Sequence, residues 1–347
     1  MDADKKNFSV PMPLDLRRME QERKIMANAT QLAILERLTE RWGDMRDVDL
    51  YKELEMEKKR WMLFALHNMD QAMKSAMLSS PLPQIPGVQP RKVLVLHEPQ
   101  GGYPGSWRMR QENGLLTTST VATASYLAAI HSKEQMYHLS SRPLSSELFP
   151  NVTAVVVPAV SANFPISSGI FSAVYSLSLP SLVSSQDIPQ MLKSVHRCLA
   201  PGATFHLTLI DPMPVMSSLG PHMRAWLEAH LLLNLEKDFR CVNPSRLFPE
   251  WLAECDLRGE GSIISTAKFR AIAPESGYIV DSPDGNKNER NIRTELRGEV
   301  GRMLWREVWG VYVEADRWWW DEPECVEECL QLGTHWEYSI IEAVKEV

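Results

Sequence analysis

No uninterrupted apolar run reaches the about 18 residues that mark a membrane-crossing helix, so no transmembrane segment is expected. The first residues, Met1-Asp2-Ala3-Asp4-Lys5-Lys6, lack the basic start and apolar core of a secretory signal and the arginine richness of a transit peptide. A cytoplasmic or nuclear protein is expected. Cysteine is scarce: Cys198, Cys241, Cys255, Cys325 and Cys329 form an odd, scattered set without a C-x-x-C, which suits a reducing compartment. The phosphate-loop pattern G-x-x-x-x-G-K-[ST] is absent, and so is G-x-S-x-G, which leaves nucleotide-triphosphatase and serine-hydrolase readings without support. A net charge of -7 argues against a dedicated nucleic-acid surface. No internal repeat is visible.

What is present is a soluble-protein composition, 44% hydrophobic and 23% charged, in a 347-residue chain long enough for one large domain with appendages or for two domains. The clearest unit runs from Ile170 to Asp211. Ile170 to Leu179 is rich in β-formers. Ile188, Leu192, Val195 and Leu199 then recur three or four apart, a helical stripe. Ala200-Pro201-Gly202 stops the helix, and Thr204 to Asp211 reads as a second strand. Strand, crossover helix and strand make a βαβ unit and imply parallel pairing.

Around this unit, residues 1–12 read as disordered and 13–78 as a charged helical arm. The arm is either a pair of helices packed on the main domain or a lid or partner-binding element. Residues 79–90 are a proline-rich linker, 91–280 an α/β domain, 281–293 a polar loop, and 294–347 a C-terminal helix with a final strand or helix. Within the domain, strands are predicted at Arg91–Leu96, Gln135–Leu139, Val152–Val157 and Ser262–Ile272. Helices are predicted at Thr120–Ile130, Met223–Phe239 and Ser245–Glu254. Alternating strands and helices give a doubly wound α/β fold.

Phe164-Pro165-Ile166, Ile170 to Ser176 and Cys198-Leu199-Ala200-Pro201-Gly202, in that order and spacing, resemble the second half of a class I S-adenosylmethionine-dependent methyltransferase, in particular the small-molecule type of fungal genomes. The resemblance covers residues 91 to about 275 and a last strand at the C-terminus. It implies a Rossmann-like, doubly wound, mostly parallel sheet with an N-terminal helical extension and a C-terminal helix. It also implies S-adenosylmethionine as cofactor and a small-molecule acceptor methylated on oxygen, nitrogen or carbon. By the same resemblance the cofactor would lie near His97, Glu98, Gly101, Gly102, Ser140, Ser161, Ala162 and Ser176.

The first half departs from the family's pattern. The glycines after the first strand come late, between Pro99 and Pro104. The acid expected after the second strand, which would bind the ribose hydroxyls, is replaced by Ser140-Ser141-Arg142. No acid follows Val157, and Ser172 stands where the family has aspartate. A charge-assisted ribose contact is worth about 1.5–3 kcal/mol, so its loss weakens binding about tenfold to a hundredfold unless Ser140, Ser141 or Glu98 substitutes. Two readings stay open: a divergent methyltransferase, and an inactive methyltransferase-like fold serving as a protein-binding or scaffold module.

Asp211, at the carboxyl end of the last βαβ strand, is a candidate to orient substrate or act as base, or else a cap. His222 is a candidate general base or a surface histidine. Cys325 and Cys329 lie i, i+4 with His335 nearby, but no fourth ligand is evident and no metal is expected. Trp305, Trp309, Trp318, Trp319, Trp320 and Trp336 crowd the C-terminal third. They read as packing of the C-terminal helix, or as a substrate wall or homodimer contact.

Overall fold

The computed structural model describes residues 14–42, 47–69, 91–97, 121–274 and 285–346. The expected disordered start, the proline-rich linker and the glycine turn with Glu98, Gly101 and Gly102 lie outside the described residues.

Seven strands form one sheet: β1 Lys92–Val95, β2 Gln135–Ser140, β3 Val152–Val156, β4 Phe171–Ser176, β5 Leu199–Ile210, β6 Ile263–Arg270 and β7 His335–Val344. Their order is β3-β2-β1-β4-β5-β7-β6. The pairs from β3 to β5 are parallel, and β7 enters antiparallel between β5 and β6. The helices are α1 Leu16–Asn28, α2 Gln31–Thr39, α3 Val48–Asn68, α4 Ala122–Ile130, α5 Leu179–Leu182, α6 Ile188–Cys198, α7 Pro221–Leu227, α8 Pro244–Glu254, α9 Gly285–Trp309 and α10 Pro323–Leu332. The fold is a Rossmann-like, doubly wound α/β sheet flanked by N-terminal and C-terminal helices.

Helices cover both faces. Ile188, Met191, Leu192 and Val195 of α6 pack with Phe171, Val174, Phe205 and Leu207, and Phe248 and Leu252 of α8 extend that layer. On the opposite face, Met19 of α1 and Ala124, Leu127 and Ala128 of α4 cover Val93, Val95, Met136 and Tyr175. Beyond them, α2, α3 and α9 contribute Leu35, Leu38, Met62, Leu66, Leu304 and Trp305 against Ile210, Tyr338 and Ile340.

The N-terminal segment forms three helices, one more than the pair expected, and each starts on a cap that its sequence supplies. Asp15 accepts from the Arg18 N–H, Thr30 from Ala33, and Asp47 from Asp49 and Leu50. These helices are tied to the C-terminal helix by ion pairs: Lys59 to Glu307 at 2.6 Å and Arg306 to Glu55 at 3.4 Å.

Two boundaries differ from expectation. The segment read as a polar loop is helical from Gly285, because Ile292, Leu296 and Val300 already form the buried stripe of α9. That helix ends at Trp309. The helix expected over 223–239 carries a π turn at Glu228–Leu232 between α7 and Leu233–Lys237. There the His230 carbonyl accepts from the Glu314 N–H at 2.9 Å, so the extra residue in the turn docks the loop after α9. The final segment, left open between strand and helix, is the strand β7.

α9 lies close on β6 because its facing residue is glycine. A β-carbon at Gly301 would land inside the Phe269 ring. Gly301→Val is therefore expected to cost about 3 kcal/mol by overpacking. A urea midpoint equal to wild type would show that α9 does not rest on Phe269 in solution.

Four of the C-terminal tryptophans, Trp305, Trp309, Trp319 and Trp336, are fully buried. Trp319 stacks on Trp336 with centroids 5.0 Å apart, and Trp305 meets both edge-on. These four are packing residues of the α9–sheet interface. No helix among the described residues is long and apolar enough to cross a membrane. No group of three or more His, Cys, Asp or Glu among them is arranged to hold a metal ion.

Candidate functional site

In an open α/β sheet the ligand crevice lies beyond the carboxyl ends of the strands, where the strand order reverses. Here the reversal falls between β1, which leads outward to β2 and β3, and β4, which leads to β5 and β7. His97 lies two residues past β1, Ser140 ends β2 and Ser176 ends β4, so three of the expected residues meet this crevice region.

His97 is buried, and burial with the neighbouring His138 lowers its pKa to about 4, so its imidazole is neutral near pH 7. His138 accepts the Leu144 N–H at Nδ1, 3.1 Å away. The Ser140 hydroxyl accepts the Arg142 N–H at 3.2 Å and shapes its own turn. Ser176 is different: its hydroxyl is buried and has no hydrogen-bond partner among the described residues. Ser178, which the sequence reading did not single out, has the same property at 1% exposure. The Ser176-Leu177-Ser178 alternation was the available signal, since residues two apart at a strand end share a side.

Ser161 and Ala162 lie on the loop beside α6. The Ser161 hydroxyl accepts the Asn163 N–H at 3.2 Å, and the Ala162 carbonyl accepts from Ser194 at 2.5 Å. Both are engaged in holding that loop.

Asp211 follows β5 directly, yet its carboxylate is bound elsewhere. It accepts from the Ser245 backbone N–H at 2.9 Å and from the Ser245 hydroxyl, which caps the first turn of α8. Burial raises its pKa above the ordinary carboxylate value, and the Ser245 hydrogen bonds oppose that rise. His222 has a half-exposed side chain whose Nδ1 lies 3.3 Å from Glu324. No hydrogen bond or ion pair joins it to Asp211 among the described residues. The two candidate catalytic residues are thus held in separate local structures.

A residue unforeseen from sequence organises this end of the molecule. The Glu328 carboxylate of α10 accepts the backbone N–H groups of His222 and Met223, each at 2.9 Å, and so caps α7 from a distant segment. Gly220 makes room for it, because a β-carbon there would overlap the carboxylate. Glu328→Ala is expected to cost about 2–3 kcal/mol, since two charge-assisted bonds are lost and the Met223 N–H is left buried without its acceptor. An unchanged denaturation midpoint would refute that role.

Trp305 donates from Nε1 to the Pro212 carbonyl at 3.0 Å, and Trp309 donates to Ile210 at 3.1 Å. The Tyr312 hydroxyl donates to the Ser181 carbonyl at 2.6 Å. The carboxyl end of β5 is therefore roofed by Trp305 and Trp309, and Tyr312 is tied to α5.

No family model matches the sequence, and no curated protein does. Solved structures match at low similarity. Phosphoethanolamine N-methyltransferase 2 of Haemonchus contortus, in complex with phosphomonomethylethanolamine and S-adenosylhomocysteine, is 10% identical with a TM-score of 0.38, and the match covers 92% of this chain and 61% of that one. The same enzyme with S-adenosyl-L-methionine is 12% identical with a TM-score of 0.34, over 80% of this chain and 53% of that one. A geranyl diphosphate methyltransferase in complex with its cofactor is 13% identical with a TM-score of 0.35, over 87% of this chain and 92% of that one. The chain thus spans little more than half the length of the Haemonchus contortus protein. The matching structures come from nematode, bacterial, archaeal and algal sources and do not single out a fungal type. At these TM-scores the likeness carries no further argument, and the functional reading rests on the sheet order and the crevice residues.

Proposed function

We propose that the chain binds S-adenosylmethionine over the carboxyl ends of β1, β2 and β4 and serves methyl transfer to a small-molecule acceptor. The observation that carries this reading is the pair of buried, unpartnered hydroxyls of Ser176 and Ser178 at the point where the strand order reverses. A buried hydroxyl without a partner costs about 1–3 kcal/mol, which a polar ligand would recover. The doubly wound, mostly parallel sheet with a last strand at the C-terminus supports the reading, because it is the sheet that the sequence resemblance implies.

S-adenosylmethionine, when bound, supplies an electrophilic methyl group. Ser176 and Ser178 would hold the ligand by neutral hydrogen bonds, with the neutral imidazole of His97 beside them. Ser140-Ser141-Arg142 would stand near the ribose hydroxyls in place of the missing carboxylate. Holding two reactants in line supplies much of the rate of such a transfer, so the reading does not require Asp211 or His222 to move a proton.

The second reading, an inactive fold that binds a protein partner, is favoured by a specific observation. β2 ends without a carboxylate, Asp211 is committed to α8, and the end of β5 is roofed by Trp305 and Trp309.

Ser176→Ala and Ser178→Ala separate the two readings. Each is expected to weaken S-adenosylmethionine binding about tenfold and to leave the unliganded protein as stable as wild type or more so. Unchanged affinity in both variants would remove the crevice from the cofactor reading.

A further inference from the structure

A buried acid–imidazole pair lies across the sheet, between β5 and β7. Glu342 of β7 and His206 of β5 are register partners in the antiparallel pair, and Tyr175 of β4 is the register partner of His206 on its other side. The Tyr175 ring stacks on the His206 imidazole, with centroids 4.4 Å apart and planes 8° from parallel. His206 Nδ1 and Glu342 Oε1 are 3.6 Å apart. Both atoms are buried, and neither has a hydrogen-bond partner among the described residues.

The groups around the pair offer little compensating charge. His67 comes from α3 and packs on Tyr126 of α4 at 5.6 Å. His131 comes from the end of α4, packs on Tyr175 at 5.3 Å, and is itself bound to Glu134 at 3.0 Å. His131 and His67 are the charged-state neighbours of His206, and both disfavour an imidazolium there. No Lys or Arg among the described residues forms an ion pair with Glu342 or His206.

An ionised carboxylate buried beside a neutral imidazole is uncompensated, and so is an imidazolium beside a protonated acid. A single proton on the pair leaves neither group charged, and closing the 3.6 Å gap by a few tenths of an ångström lets that proton bridge the oxygen and the nitrogen. We propose that Glu342 and His206 share a single proton and form a pH-sensitive latch between β7 and β5. The latch is closed in acid and slackens as the proton leaves near neutrality.

The directions of titration agree with this geometry. Burial raises Glu342 to about 7, and burial with the neighbouring histidines lowers His206 to about 3. A raised acid contributes stability that is complete below its ordinary value of 4.5 and fades as pH rises through about 7. The lowered histidine works oppositely: its contribution is present above 6.5 and fades as pH falls toward about 3. Between 4.5 and 6.5 the two slopes cancel, because folded and unfolded chains then hold one proton each on this pair. The whole-protein profile therefore hides the latch, and a variant is needed to expose it.

Glu342→Gln keeps the shape of the protonated acid and cannot lose a proton. Unfolding equilibria of wild type and Glu342→Gln would be measured by urea between pH 5 and 8. The ratio of their unfolding constants is expected to shift by more than about tenfold toward a less stable wild type as pH rises. A ratio that does not change with pH would overturn the proposal. Infrared titration of the wild type gives a reading that does not depend on the variant's folding. A protonated-carboxyl band that disappears with a midpoint near 7 is expected. Its absence would overturn the shared proton.

Discussion

Arg60→Ala is expected to lower stability by about 3–5 kcal/mol, enough to detach the N-terminal helices or unfold the protein. The Arg60 side chain is fully buried. Its Nε and Nη2 donate to the two Glu22 carboxylate oxygens, each at 2.9 Å, and so fasten α3 to α1. Burial already raises the Glu22 pKa, and Arg60, with a smaller contribution from Arg18, opposes the rise. Truncating Arg60 leaves Glu22 buried with its principal counter-charge gone, and this stranded charge is the source of the cost. Two corollaries follow. The loss is smaller at a pH low enough to protonate Glu22, and Glu22→Met with Arg60→Met lies closer to wild type than either single change. Urea midpoints of the four proteins test this. A loss under about 1 kcal/mol for Arg60→Ala would mean that the helices sit loosely, as a lid would.

Acid is expected to be nearly as damaging. Burial lowers the pKa of His67 to about 4, and burial with His138 does the same to His97. A histidine held neutral in the fold contributes stability that is full above its ordinary 6.5 and lost as pH falls toward about 4. Each such shift corresponds to roughly 3 kcal/mol at its limit. His206 adds a loss of the same sign, and Glu342 offsets about one of the three as it gains its proton. Between pH 7 and pH 4.5 the urea midpoint should therefore fall steeply. A flat midpoint over that range would show that these imidazoles reach water. One consequence concerns the crevice: His97 stays neutral from about pH 5 upward, so ligand binding there should not track a histidine titration.

Much of the scaffold could be read from the chain because its local signals agree with its tertiary ones. The stripe Ile188, Leu192, Val195 became the buried face of α6, whereas Leu199, expected in that stripe, opens β5, and Gly202 takes its positive φ at the register irregularity of that strand rather than in a separate turn. What the sequence concealed is mostly long-range. The start of α9 looked like a loop because its polar residues outnumber the four-residue rhythm of Ile292, Leu296 and Val300. The Glu328 cap on α7 joins residues about a hundred positions apart, and no local pattern announces it. Asp211 was placed correctly at the end of its strand, but its preference for Ser245 depends on where α8 begins in space. In the crevice, His97, Ser140 and Ser176 were implied by the family resemblance, whereas Ser178, signalled in sequence only by its alternation with Ser176, gains its place from burial without a hydrogen-bond partner. Trp305 and Trp309 were readable as packing residues, but not as donors to the backbone at the end of β5.

The most direct measurement is calorimetric titration of the purified full chain with S-adenosylmethionine, with mass spectrometry of the protein for retained cofactor. The account predicts saturable binding with a micromolar dissociation constant, reduced in Ser176→Ala and Ser178→Ala. No heat and no retained cofactor at millimolar concentration would contradict it, and would leave the fold as a module that binds something other than this cofactor.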